Sequence, residues 1–141
     1  MATYGRSRAS TASPSAVWRV WSDPDTWHEW NPNVRRMTMH GPFADGTTGE
    51  MATNAGRTHA ITLANVQPGR SFEVHTSVLP LTRFTFHCEV AASGPGSTVS
   101  QSVSMSGPLA PVFGPLAGER IAASFEPLLE GLARKAEAAQ R

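Results

Sequence analysis

Phe84-Thr85-Phe86-His87-Cys88-Glu89-Val90 alternates one residue in, one residue out. A period of two marks a strand with one buried face. The run lies within Leu81 to Ala92 and closes at Gly94-Pro95-Gly96. Upstream, the same rhythm predicts strands over Val34 to His40, Thr47 to Asn54, Arg57 to Val66 and Arg70 to Val78. These are punctuated by Gly41-Pro42, Gly56, Gln67-Pro68-Gly69 and Leu79-Pro80. Downstream, Thr98 to Met105 closes at Gly107-Pro108. Consecutive strands joined by short turns predict an antiparallel meander.

Helical signals flank the meander. Ser13 followed by Pro14 is a capping residue with proline at the first helical position. Val17, Trp18 and Trp21 then share a face, and Asp23-Pro24 ends the helix. A second short turn carries Trp27 and Trp30 and breaks at Asn31-Pro32. After the meander, Ile121, Phe125, Leu128, Leu129 and Leu132 recur at helical spacing. Pro127 lies inside that pattern and predicts a kink or a split. Pro111, Gly114, Pro115 and Gly118 predict an irregular stretch before it. Residues 3–11 are polar and read as coil or an edge strand. Strands and helices are segregated rather than alternating, so a doubly wound sheet is excluded and the class is α+β.

The 141 residues suit one domain, 1–141, with 40% hydrophobic and 16% charged residues. The formal net charge of +1 and the scattered arginines provide no field for nucleic acid. No apolar run is long enough to span a membrane, and Met1 to Thr11 is not a signal peptide, which predicts a cytoplasmic protein without stable membrane insertion. Cys88 is the only cysteine, so no intrachain disulfide forms, and its alternating context predicts a buried structural thiol.

Parity sorts the meander into faces. His59, Ile61 and Leu63 share the first inward set; Phe72, Val74, Thr76 and Val78 the second; Phe84, Phe86, Cys88 and Val90 the third; Val99, Gln101, Val103 and Met105 the fourth. His59, Thr76 and Gln101 are the polar exceptions. Either each is satisfied locally, as buried polar groups usually are, or together they orient a ligand in an apolar pocket. Gly5, Ser7, Ala9 and Thr11 share one parity of the first strand. With that parity inward, small side chains leave volume unfilled; the reading reverses if Tyr4, Arg6 and Arg8 face in. Trp18, Trp21, Trp27 and Trp30 read as anchors for the short helices, with Trp27 or Trp30 available at a pocket rim. The five histidines show no zinc-ligand spacing, and parity turns His75, His87, Glu50 and Glu73 outward. No metal and no cofactor is implied.

Several stretches, taken in order, resemble one known family. These are Ala12-Ser13-Pro14-Ser15-Ala16-Val17-Trp18, Asp23-Pro24, and Trp27-His28-Glu29-Trp30-Asn31-Pro32-Asn33-Val34. After them come Asp45-Gly46-Thr47-Thr48-Gly49, Val66-Gln67-Pro68-Gly69-Arg70, Gly96-Ser97-Thr98-Val99 and Met105-Ser106-Gly107-Pro108-Leu109. The set resembles the polyketide cyclase/dehydrase group of the START-like (SRPBCC, Bet v 1-like) superfamily. The resemblance implies a helix-grip fold. A curved seven-stranded antiparallel sheet would wrap a long C-terminal helix, with two short helices after strand 1 and residues 3–11 as that first strand. Such proteins enclose hydrophobic molecules, and some are cyclases. The shared motifs are structural and carry over no catalytic residue.

Three functions follow. The first is binding, and by extension transport, of a small hydrophobic molecule such as a lipid or polyketide, by a monomer or homodimer. Its expected walls are Trp30, Met51, His59, Ile61, Phe72, Val74, Thr76, Phe84, Phe86, Val99, Gln101, Val103, Phe125 and Leu128. The second is a polyketide cyclase or dehydratase with His59 as acid/base, since an imidazole titrates near neutrality. The third is a protein-interaction module of the chaperone-activator kind.

Overall fold

In the computed structural model, which describes residues 3–77 and 81–140, the predicted meander is present. The strands are β1 (Thr3–Ser10), β2 (Val34–Met39), β3 (Thr48–Thr53), β4 (Thr58–Gln67), β5 (Ser71–Thr76), β6 (Arg83–Ser93) and β7 (Gly96–Ser106). They form one antiparallel sheet in the order β1-β7-β6-β5-β4-β3-β2, so the first strand closes against the last. The expected inward Val78 and the Leu79-Pro80 turn lie outside the described residues.

The helices are α1 (Pro14–Trp21), α2 (Trp27–Trp30), α3 (Ala110–Ala123) and α4 (Phe125–Gln140), with a 3-10 turn at Pro24–Thr26. Ser13 caps α1, its hydroxyl accepting the Ala16 amide at 3.2 Å. At its far end α4 is tied to the start of the chain: Ser10 Oγ donates to Glu137 at 2.8 Å and the Ser13 amide donates to Gln140 at 2.7 Å. Lys135 pairs with Glu29 and links α4 to α2. A Cβ at Gly131 would overlap the Trp30 carbonyl oxygen, so glycine is what allows α4 to meet α2 so closely.

Two expectations are corrected. The proline- and glycine-rich stretch before Pro127 is not irregular but the helix α3, despite Pro115 inside it. A proline in a helix interior opposes helix formation strongly. Here tertiary packing prevails: Gly114, Gly118 and Ala122, spaced by four, are buried on one face. A side chain at Gly118 would run into the Tyr4 ring. The break falls at Ser124, three residues before Pro127. Pro127 then occupies the first turn of α4, where a missing N–H costs no intrahelical bond.

The second correction concerns β1. Tyr4 packs on the core, and Arg6 turns toward the helices, pairing with Glu119 of α3 at 2.5 Å and Glu126 of α4 at 3.4 Å. Gly5, Ser7 and Ala9 are exposed. The small-residue parity therefore faces solvent and leaves no interior volume.

Beneath α1 and α2 the core is aromatic. Phe72 meets Trp21 edge-on at 5.3 Å between ring centroids, Phe43 at 5.0 Å and Trp18 at 6.0 Å. Edge-to-face pairs of this kind contribute roughly 0.5–1.5 kcal/mol each beyond burial.

Candidate functional site

A cavity of about 230 Å³ lies between the sheet, α2 and the α3–α4 junction. Each wall follows from a feature of the sequence. Strand alternation sends Phe72, Val74, Phe86, Cys88 and Gln101 to it from β5, β6 and β7. The tryptophan-rich helices supply Trp21, Trp27 and Trp30. The interruption at Ser124 brings Ile121, Ser124, Phe125 and Leu128 over the open side. Asn31, Asn33, Val34, Met37, Met51 and Thr53 complete the rim from the α2–β2 connection and the outer strands.

Of the residues expected at the wall, Trp30, Met51, Phe72, Val74, Phe86, Gln101, Phe125 and Leu128 come together here. Ile61, Phe84, Val99 and Val103 have the expected inward parity but pack solidly in the core, each 0–2% exposed, away from the cavity. Thr76 is buried, and its hydroxyl donates to the Ala60 carbonyl at 2.8 Å, so it is satisfied within the sheet. His59 is half-buried opposite Met51, two residues beyond Ile61, which with Thr76 makes the last β4–β5 pair, and does not line the cavity. Trp27, a rim candidate from the sequence, also lines the cavity, whereas Trp21, Val34, Met37, Asn31 and Asn33 are not among the expected wall residues. Their proximity to the family-like Trp27–Val34 stretch was the signal available.

The polar groups of the wall are mostly committed. Trp27 Nε1 donates to the Trp21 carbonyl at 2.9 Å. Asn31 Oδ1 accepts the Asn33 amide at 2.9 Å, and Ser124 Oγ donates to the Ile121 carbonyl at 2.6 Å. Trp30 Nε1 is an exception: it is buried without an acceptor among the described residues. Burial pushes the Cys88 thiol far up, away from the thiolate a nucleophile requires. Among the described residues, no Asp, Glu, His, Lys or Arg lines the cavity. A surface of this kind is complementary in polarity to a neutral apolar molecule.

Titratable side chains of the same strands occupy the opposite face. Glu73 lies between His75 at 3.0 Å and His87 at 3.5 Å, and Asn65 donates to it at 2.9 Å. Burial acts to raise the Glu73 pKa, but the hydrogen bonds from His75 and Asn65 and the histidine charges outweigh it and leave it lowered. His40 pairs with Glu50 at 2.6 Å. Among the described residues no group of three or more His, Cys, Asp or Glu could hold a metal ion. Nor is any described helix long and apolar enough to cross a membrane.

Solved structures share this architecture across nearly the whole chain. The protein XoxI from Bacillus cereus aligns with a TM-score of 0.78 at 16% identity, covering 100% of this chain and 99% of its own. A START superfamily protein from Mycobacterium smegmatis aligns at 0.77 and 14% identity, with 97% and 98% covered. The di-domain ARO/CYC protein StfQ from the steffimycin biosynthetic pathway aligns at 0.74 and 16% identity over 98% of this chain and 51% of its own. No curated protein matches the sequence. The family described as polyketide cyclase / dehydrase and lipid transport matches residues 1–137. The chain has the START-like helix-grip fold and belongs to the polyketide cyclase / dehydrase and lipid transport family.

Proposed function

We propose that the protein binds one small hydrophobic molecule in this cavity and holds it out of water, as a carrier or a sequestering protein. The observation that carries the reading is the wall itself, rich in apolar and aromatic side chains, with no Asp, Glu, His, Lys or Arg among the described residues that line it. Burial of the guest's apolar surface would drive binding, at about 25 cal/mol per Å² before the costs of association. In this reading the chain acts in the cytoplasm as a monomer or homodimer. Native mass spectrometry of protein purified from its own host tests it. One organic molecule should remain bound and be released by denaturing solvent. A bare mass, together with failure to bind any small apolar compound, contradicts it.

A polyketide cyclase is the second reading, favoured by the family and by the likeness to StfQ. His59 stands outside the cavity wall, so a cyclase built on this chain would act by folding a reactive substrate rather than by proton transfer from an imidazole. Turnover of a linear polyketide lost in His59→Ala would restore the acid/base assignment.

A further inference from the structure

Along β7 the inward side chains Ser97, Val99, Val103 and Met105 are sealed in the core, and Gln101 in their midst is not. It is half-buried and lines the cavity. Val99 and Val103 on either side of it are fully buried, as is Cys88, its partner on β6. The Gln101 carboxamide makes no hydrogen bond among the described residues, and neither its oxygen nor its nitrogen is closed to a water-sized molecule, in contrast to Trp30 Nε1. Arg6, its partner on β1, is committed elsewhere: the guanidinium pairs with Glu119 and Glu126 and donates to the Gly5 carbonyl. Asn31 also lines the wall, but it borders an outer groove with Glu29 and Arg134 as well, and its Oδ1 already accepts the Asn33 amide.

A carboxamide in an apolar surround selects its guest by hydrogen bonding. Its oxygen accepts and its N–H donates, side by side in one plane. A guest that covers the amide without answering it leaves both groups unpaired, which disfavours the complex. A ketone or ether answers the donor alone. The cis N–H and C=O of a lactam answer both at once. A carboxylic acid has the same pattern only when protonated; near neutrality it is ionised, and no Lys, Arg or His among the described wall residues compensates the charge. Volume sets the size. A dry cavity of about 150 Å³ accepts benzene, and drug-sized sites begin near 300 Å³. The 230 Å³ here falls between them.

We propose that Gln101 determines the specificity of the cavity, its carboxamide selecting a neutral ring compound of about bicyclic size that carries a lactam-type N–H/C=O edge. This rests on the binding reading above and sharpens it. The apolar wall supplies affinity, and Gln101 sets which edge of the guest turns toward β7.

The test compares 3,4-dihydro-2-quinolone, 1-tetralone and tetralin, bicycles of nearly equal size that answer both, one and neither of the amide's groups. Calorimetry on the full chain and on Gln101→Met, which keeps the length of the side chain and removes both hydrogen-bonding groups, gives the affinities. Gln101→Met should weaken binding of the lactam by roughly tenfold or more, the worth of two hydrogen bonds, and weaken tetralone by about a few-fold. Tetralin should bind the variant as well as the wild type, or better. In ¹⁵N–¹H spectra of the wild type, a Gln101 side-chain amide proton should move downfield with the lactam and not with tetralin, a readout that stands even if the variant fails to fold. A lactam affinity, relative to tetralin, that Gln101→Met leaves unchanged, or an amide proton that does not move downfield, would overturn the assignment to Gln101 and leave the binding reading intact. Failure of all three compounds to bind the wild type would bring down both.

Discussion

The two faces of β5 and β6 are made by alternate residues of the same two strands and have opposite chemistry. Phe72, Val74, Phe86 and Cys88 face inward and line the cavity. Glu73, His75, His87 and Glu89 face outward and form a chain of histidine–carboxylate contacts. One residue of offset separates a dry surface without charge from a wet one that concentrates it. His75 and His87 contact carboxylates on the outside of the sheet, as parity predicts, and His59, the one candidate acid/base, does not line the cavity. Among the described residues that line the inner wall there is no Asp, Glu, His, Lys or Arg.

The comparison breaks most visibly where Phe72 is truncated. Phe72 touches Trp18, Trp21, Trp27 and Phe43, so Phe72→Ala should cost about 3–5 kcal/mol in urea unfolding. His87→Ala, on the partner strand's outer face, should change stability by no more than about 0.5 kcal/mol. Comparable losses would mean that the faces are not energetically distinct.

A glutamate can then be placed on each face. Gln101→Glu puts a carboxyl into the uncharged wall, where burial raises its pKa above the unfolded value of about 4.3. The penalty should be absent below about pH 4, grow as pH rises through the raised pKa, and reach about 1–3 kcal/mol at pH 7. Native Glu73 has the opposite sign. Its pKa is lowered by its outer-face partners, so its contribution is present at pH 7 and fades as pH falls below about 4. The gap in stability between wild type and Glu73→Gln should therefore close in acid, while the gap for Gln101→Glu also closes but with the destabilised partner gaining. The Glu73 effect is smaller than that of Gln101→Glu because the site is partly solvated. Thermal unfolding between pH 3 and pH 8 measures both.

How much of this was legible in the sequence depends on what each element needs to be recognised. β2 to β7 announce themselves by alternation and by turn residues such as Gln67-Pro68-Gly69, because both signals are local. β1 does not, since its order comes from pairing with β7 and its inward residues, Tyr4 and Arg6, meet helices at the other end of the chain. α3 was hidden by Pro111 and Pro115. The spacing of Gly114, Gly118 and Ala122 was the overlooked sign of a close-packed helical face. For the cavity, parity identified the face but not the position along it. Ile61, Phe84, Val99 and Val103 have the right parity and sit where the interior is filled. Val34, Asn31 and Ile121 reach the cavity through loop and helix-break geometry that no period encodes.

The central claim is that a small apolar molecule enters the inner face and leaves the outer one untouched. Methyl ¹³C–¹H NMR during titration with tetralin measures this directly. The account predicts saturable shifts at Val34, Val74, Ile121 and Leu128, which line the cavity, and none at Thr85 or Ala91, which alternate to the outer face of β6. Shifts spread over outer-face methyls, or no shift at the four cavity methyls up to the solubility limit of tetralin, would contradict it.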